Sequence, residues 1–156
     1  VDNTPIPAGS QKLTTTVNAG TLSMSQDGDS VALSAVDFGT GGASTGALRT
    51  VHVKDFRGGP AGWSLTGKVT DFTGPGAKID AKNLSWTPAC ATKAGSPSTC
   101  QAGSAGTVGT AGATLASTPN GTVTGGEFTA DAGLSLSVPT FTPVGSYSAV
   151  LTLTLS

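Results

Sequence analysis

Few residues in this 156-residue chain could do chemistry: one histidine, nine carboxylates and two cysteines. His52 is the sole candidate base for a Ser-His-Asp arrangement, which needs a nucleophile and an orienting acid within hydrogen-bond reach. It alternates with Val51 and Val53, so on a strand it points away from the face those valines bury. No Gly-x-Ser-x-Gly elbow offers a nucleophile, and an exposed strand histidine is the expectation. Paired carboxylates across a cleft would suit glycoside hydrolysis. The acids are Asp2, Asp27, Asp29, Asp37, Asp55, Asp71, Asp80, Glu127 and Asp131. Asp55 and Asp71 fall near strand ends and could come close in space. Aspartate also commonly accepts hydrogen bonds from turn backbone, and structural roles are expected for both.

Asp27-Gly28-Asp29-Ser30 has an oxygen-rich look, but the twelve-residue loop that gathers a calcium ion's ligands is absent; a hairpin turn is expected. Asn83-Leu84-Ser85 and Asn120-Gly121-Thr122 match the short glycosylation pattern. Cys90 and Cys100 stand ten positions apart in a Pro/Ser/Gly-rich stretch. A disulfide closing that loop, worth about 2–3 kcal/mol, is expected, free thiols in a reducing compartment being the alternative. Two thiolates without a nearby histidine do not complete a zinc tetrahedron. There is no phosphate loop or dinucleotide fingerprint, so the chain is expected to be non-enzymatic, with no metal and no cofactor.

The elements that would position these residues are strands. Period-two alternation runs through Leu13, Thr15 and Val17; Leu22 and Met24; Val31, Leu33 and Ala35; Val51, Val53 and Asp55; and Trp63, Leu65, Gly67 and Val69. It continues through Ile79, Leu84 and Trp86, then Leu134, Leu136 and Val138, and ends with Tyr147, Ala149, Leu151, Leu153 and Leu155. Turn residues separate these runs: Asp27-Gly28-Asp29 as a tight hairpin, residues 39–46 as a loop, Arg57-Gly58-Gly59-Pro60 and Gly74-Pro75-Gly76. The expected fold is an all-β antiparallel β-sandwich, Ig-like or Greek-key, of about eight or nine strands. Residues 89–126, rich in Gly, Ala, Ser and Thr, are expected to form a long disulfide-pinned excursion with one or two short strands. Residues 1–12 form an extended N-terminal arm and 13–156 a single domain.

Composition narrows the function classes. Charged residues make up 11% and the net charge is −1, which leaves no basic stripe for nucleic acid. The hydrophobic 37% is carried by patterned Val, Leu and Ala, unlike a disordered chain. No run of eighteen apolar residues would span a membrane as a helix. The first residues lack the charged and apolar regions of a secretion signal, so an exported protein would have this as its mature form. Low charge with abundant Thr and Ser is common in exported surface proteins, and a secreted, cell-surface location is expected.

Two segments carry a resemblance. Residues 51–74 run VHVKDFRGGPAGWSLTGKVTDFTG and residues 145–156 run GSYSAVLTLTLS. They resemble the WxL domain of Gram-positive surface proteins, in which a strand ending in an aspartate and an arginine precedes a glycine turn and Trp-x-Leu, and a Tyr-x-x-x-Leu-x-Trp-x-Leu strand closes the domain. Trp63-Ser64-Leu65 supplies the first motif. Tyr147, Leu151 and Leu155 match the second, with Leu153 where the family has its second Trp. Asn83-Leu84-Ser85-Trp86-Thr87-Pro88 is similar to actinobacterial relatives. The resemblance implies an exported all-β domain attached non-covalently to the cell wall, through peptidoglycan. Periodicity places Trp63 with Leu65 and Val69, and Tyr147 with Leu151, so these are expected to pack as core. Trp86 and Phe56 are the freer ligand-stacking candidates, with Asp55 and Asp71 beside them and Trp63 as a further contact. Partners would be cell-wall glycan or other surface proteins. The alternative is a structural subunit of a surface layer or fibre, self-assembled through the N-terminal arm and edge strands.

Overall fold

A computed structural model describes residues 9–156; the extended segment expected over 1–8 lies outside the described residues. The fold is an all-β sandwich of antiparallel sheets. Its axis is the thirteen-residue strand β11 (Gly126–Val138). Phe128, Ala130, Ala132, Leu134, Leu136 and Val138 alternate along it and are all buried, as a pleated strand with one face on a core requires. One edge of β11 pairs with β7 (Leu84–Thr92), from Phe128 opposite Thr92 to Leu136 opposite Leu84. Its other edge is shared end to end by β3 (Val51–Asp55) and β2 (Gly42–Ala47). β1 (Leu22–Gln26) lies outside β3, and β9 (Gly106–Thr107) outside β7.

The second sheet has the order β12 (Leu151–Leu155), β4 (Ser64–Val69), β10 (Ala113–Ser117), β8 (Gln101–Ala102). A small hairpin of β5 (Phe72–Gly74) and β6 (Ala77–Ile79) turns at Pro75-Gly76. Gly76 has φ 77° there, a left-handed conformation that glycine adopts without penalty.

Two indoles fill the space between the sheets, each 2% exposed. Trp63, just ahead of β4, meets Phe128 of β11 at a ring-centroid distance of 5.2 Å and an interplanar angle of 58°. Trp86 of β7 lies over Gly67 of β4. A Cβ at position 67 would sit 2.7 Å from Trp86 Cη2 and 3.1 Å from Leu153 Cδ2, so the ring occupies the space a side chain would need. Cys90 of β7 and Cys100, next to β8, form a disulfide that ties one sheet to the other.

Several expectations are corrected. Residues 13–17 form no strand; Leu13 is 89% and Val17 93% exposed, because alternation alone supplies no partner. Residues 31–35 join no ladder either. Val31, Leu33 and Val36 pack on the core, and the segment touches β2 through Ser34 N–H donating to Thr45 O at 2.8 Å. The turn after β1 therefore does not link two strands. Residues 39–46, expected as a loop, contain most of β2. Their small residues have weak strand preference, yet the long edge of β11 gives all six residues of β2 a partner. Residues 89–126 are integral rather than an excursion. β7 runs on to Thr92, and Val108, Leu115 and Ala116 are in the core. Short strands expected within this stretch are present as β8, β9 and β10; a β-bulge between Thr114 and Ala116 turns both Leu115 and Ala116 inward, which leaves the alternation of β10 weak.

The Trp86–Gly67 contact makes a direct prediction. Gly67→Ala should lower stability by about 1–3 kcal/mol, as overpacked cores do. Gly133→Ala, where an added Cβ meets nothing within 4 Å, should not. Urea unfolding followed by tryptophan fluorescence separates the two, and equal midpoints would show that the ring does not rest on residue 67.

Candidate binding groove

The groups whose types could do chemistry hold structural partners instead. His52 Nε2 lies 2.9 Å from Asp27 Oδ1, both side chains being exposed, and no nucleophile among the described residues is hydrogen-bonded to the ring. Asp55 is buried at the end of β3 and held by Arg57, whose Nε donates to Oδ1 at 2.8 Å and Nη2 to Oδ2 at 3.0 Å. The same guanidinium donates to Gly62 O at 3.1 Å, so the pair clamps the glycine turn that leads into Trp63. These hydrogen bonds hold the Asp55 carboxyl below the ordinary carboxylate range, against the opposing effect of burial.

Asp71 accepts from Ala81 N–H at 2.9 Å and from Lys78 Nζ at 3.4 Å. The Ala81 bond is the main reason its carboxyl is also shifted down. Asp55 and Asp71 do not converge. The Asp55–Arg57 pair grips the residues before β4, while Asp71 follows the end of β4. A six-residue strand separates them by roughly 20 Å, beyond the spacing of a glycosidase pair. Among the described residues no three His, Cys, Asp or Glu are grouped so as to hold a metal ion. No helix among them is long and apolar enough to cross a membrane.

The aromatic candidates are also redistributed. Trp86 is interior, a correction to its expected role as a ligand-stacking face, because Gly67 opens a slot for its ring in the opposite sheet. Trp63 and Leu65 are core residues as well. Tyr147, Leu151 and Leu155 are partly buried against that core. Tyr147 lays its ring on Gly74 and donates its hydroxyl to Pro143 O at 2.6 Å. The residues that carry the family resemblance are therefore packing residues. Of the proposed contact aromatics only Phe56 is open to solvent, 52% exposed, with its Cβ against Gly20.

A different feature lies toward the β12 side of the sandwich. Between residues 28–38 and 142–151 lies a groove of about 800 Å³, within the size range of ligand sites. Leu134, Leu136 and Val138 of β11 contribute to its lining, with Val31 and Leu33 from one bordering segment and Leu153 from β12. Phe38, one of the lining residues, pairs edge-to-face with Phe141, ring centroids 5.4 Å apart, and both rings are more than half exposed. Phe141 has φ 63°, a left-handed conformation that costs an L-residue roughly 1–2 kcal/mol. Its N–H donates to Phe38 O at 2.8 Å, which helps hold it there. Sequence reasoning passed over both rings because neither belongs to an alternating run; an aromatic outside any periodic strand was the available signal.

The groove runs beside a strand edge that no described residue pairs. Among the described residues β12 pairs only with β4. Ser156 and Ser64 exchange both backbone hydrogen bonds at 2.9 Å, so Thr154 and Thr152, at the same two-residue phase, also face β4. The N–H and C=O groups of Leu151, Leu153 and Leu155 consequently point the other way, along the free edge. Comparison with known proteins gives no match of this chain to a family model, to a curated protein or to a solved structure.

The buried Asp55 makes a pH prediction. Its folded-state pKa is depressed, so the stability it contributes is fully present above the ordinary carboxylate pKa, near pH 4. That contribution is lost as pH falls through the lower folded value. Asp55→Asn should cost about 1.5–3 kcal/mol at pH 7, the range for hydrogen bonds to charged groups, and reduce the acid dependence. Thermal unfolding from pH 2 to 7 measures both, and an unchanged acid slope in the variant would assign that slope to other groups.

Proposed function

We propose that this chain is a non-catalytic module of the cell exterior that associates non-covalently with other surface components. It does so by accepting an extended polypeptide segment in the groove beside β12. The observation that carries this reading is the juxtaposition of an apolar groove with an unpaired strand edge. Strand addition uses those two parts: backbone hydrogen bonds from the edge, and pockets for alternate side chains. The exterior location is supported by the Cys90–Cys100 disulfide, which suits an oxidising compartment, and by the resemblance to WxL domains. The exposed Phe38–Phe141 pair at the groove supplies the aromatic surface common at recognition sites.

Titrating an extended peptide of alternating apolar and threonine residues, followed by backbone NMR, tests this. Shifts should concentrate at 151–155, 31–36 and 134–138, and Phe38→Ser should weaken binding without lowering the unfolding temperature. Shifts elsewhere, or none at millimolar peptide, would sink the reading.

A second reading, attachment to cell-wall peptidoglycan, draws on the family resemblance and on Phe56, the half-exposed aromatic beside the Asp55–Arg57 pair. Sedimentation with purified peptidoglycan should then carry the protein into the pellet, and Phe56→Ala should return it to the supernatant. Wild-type protein left wholly in the supernatant would remove this reading and leave the groove untouched.

A further inference from the structure

We infer that the occupant of the groove is the N-terminal arm of a second copy of this chain, with residues 13–17 added as a strand along β12. The inference rests on the strand-accepting reading of the groove and names its partner. Every described residue from 9 to 20 is exposed, and within that arm Leu13 and Val17 are 89% and 93% exposed. Leu13, Thr15 and Val17 fall on one face of an extended chain, with Thr14 and Thr16 on the other. β12 has the same design. Leu151, Leu153 and Leu155 are half-buried, while Thr152 and Thr154 are exposed. Both segments are five residues long. Neither contains a charge or a proline, the devices that usually keep an exposed strand from pairing. With Leu13 and Val17 turned toward the groove, two of the chain's most exposed apolar side chains would be covered, and the outward-facing backbone groups of Leu151, Leu153 and Leu155 would gain partners.

The path of the arm favours another copy over the chain's own groove. Gly20 N–H donates to Phe56 O at 2.7 Å and Phe56 N–H to Thr21 O at 3.0 Å. These bonds continue the β1–β3 ladder beyond Asp55 and carry the arm past that end of the sheet. Within β1 only Gln26, at the opposite end, lines the groove, roughly 13 Å along the strand from Leu22. The free edge of β1 is a poorer acceptor. Four of its five residues are exposed, so a strand added there would cover few apolar side chains.

Sedimentation velocity on the full chain across a concentration series, with cysteine cross-linking, tests the inference. The wild-type mass should rise with concentration to at least twice that of one chain. The double variant Leu13→Asp/Val17→Asp should remain at one chain throughout, and at dilutions where the wild type is also one chain the two should unfold at the same temperature, since both side chains are exposed in the single copy. Mixing chains that carry Thr14→Cys with chains that carry Thr152→Cys should give a disulfide between different copies. Thr16→Cys in place of Thr14→Cys distinguishes antiparallel from parallel docking. A chain carrying both cysteines that stays at one-chain mass and closes an internal bond would place the arm in its own groove. That result overturns the second copy and preserves the groove. Absence of cross-links in either format, with no effect of the Leu13/Val17 variant, would overturn the arm as occupant. The peptide titration would then judge the groove independently.

Discussion

The rest of the molecule is arranged around the packing of two indoles between the sheets. Trp86 reaches from β7 across to the bare backbone of Gly67, and Trp63 packs from the opposite sheet onto Phe128. Large rings meeting glycine and aromatic partners fill the roughly 10 Å between sheets that face each other. Both indole N–H groups are buried without an acceptor among the described residues. A buried donor left unpaired costs about 1–3 kcal/mol, so the apolar burial of the rings must more than offset it. Filling is uneven. The part of the sandwich bounded by β4, β7 and β10 holds both rings, Leu115 and Ala116. Toward β12 and β2 the inward side chains are mostly leucine and valine, and there the sheets leave the groove.

Ionisable groups were used to fasten the frame: Asp55 with Arg57 clamps the turn before Trp63, Asp71 holds the start of the short helical turn at Ala81–Asn83, and Glu127 pairs with Lys93 at 2.8 Å. The exposed pairs among them contribute little stability in water; the buried Asp55 is the exception, because its carboxylate is removed from solvent and met by a bidentate guanidinium. The groove side of the sandwich offers shape, a backbone edge that no described residue pairs, and a pair of phenyl rings.

Legibility varied by segment for physical reasons. β3, β4 and the C-terminal half of β11 were readable because one face is buried and the other is not, so the sequence alternates. β2 was not, since Gly, Ala, Ser and Thr carry almost no contrast between faces; Ser44 is buried there with its hydroxyl donating to Ser34 O. β10 was only weakly legible because of its bulge. In residues 13–17 the pattern was present without the strand, consistent with a segment whose partner lies elsewhere. The groove could not be read at all, because its lining comes from 31–36, 134–138 and 147–153, segments that are distant along the chain.

By itself the sequence determined the class of fold and the disulfide. These follow from alternation and from cysteine count, both of which are local. Tertiary structure alone decided that Trp86 is interior, that Asp55 and Asp71 lie beyond opposite ends of β4, and that an apolar groove borders a free edge. Each of those depends on which strand lies across from which. Pairing and facing are set by the packing of the whole sandwich, by a glycine in one sheet opposite an indole in the other, and no single stretch of chain encodes them.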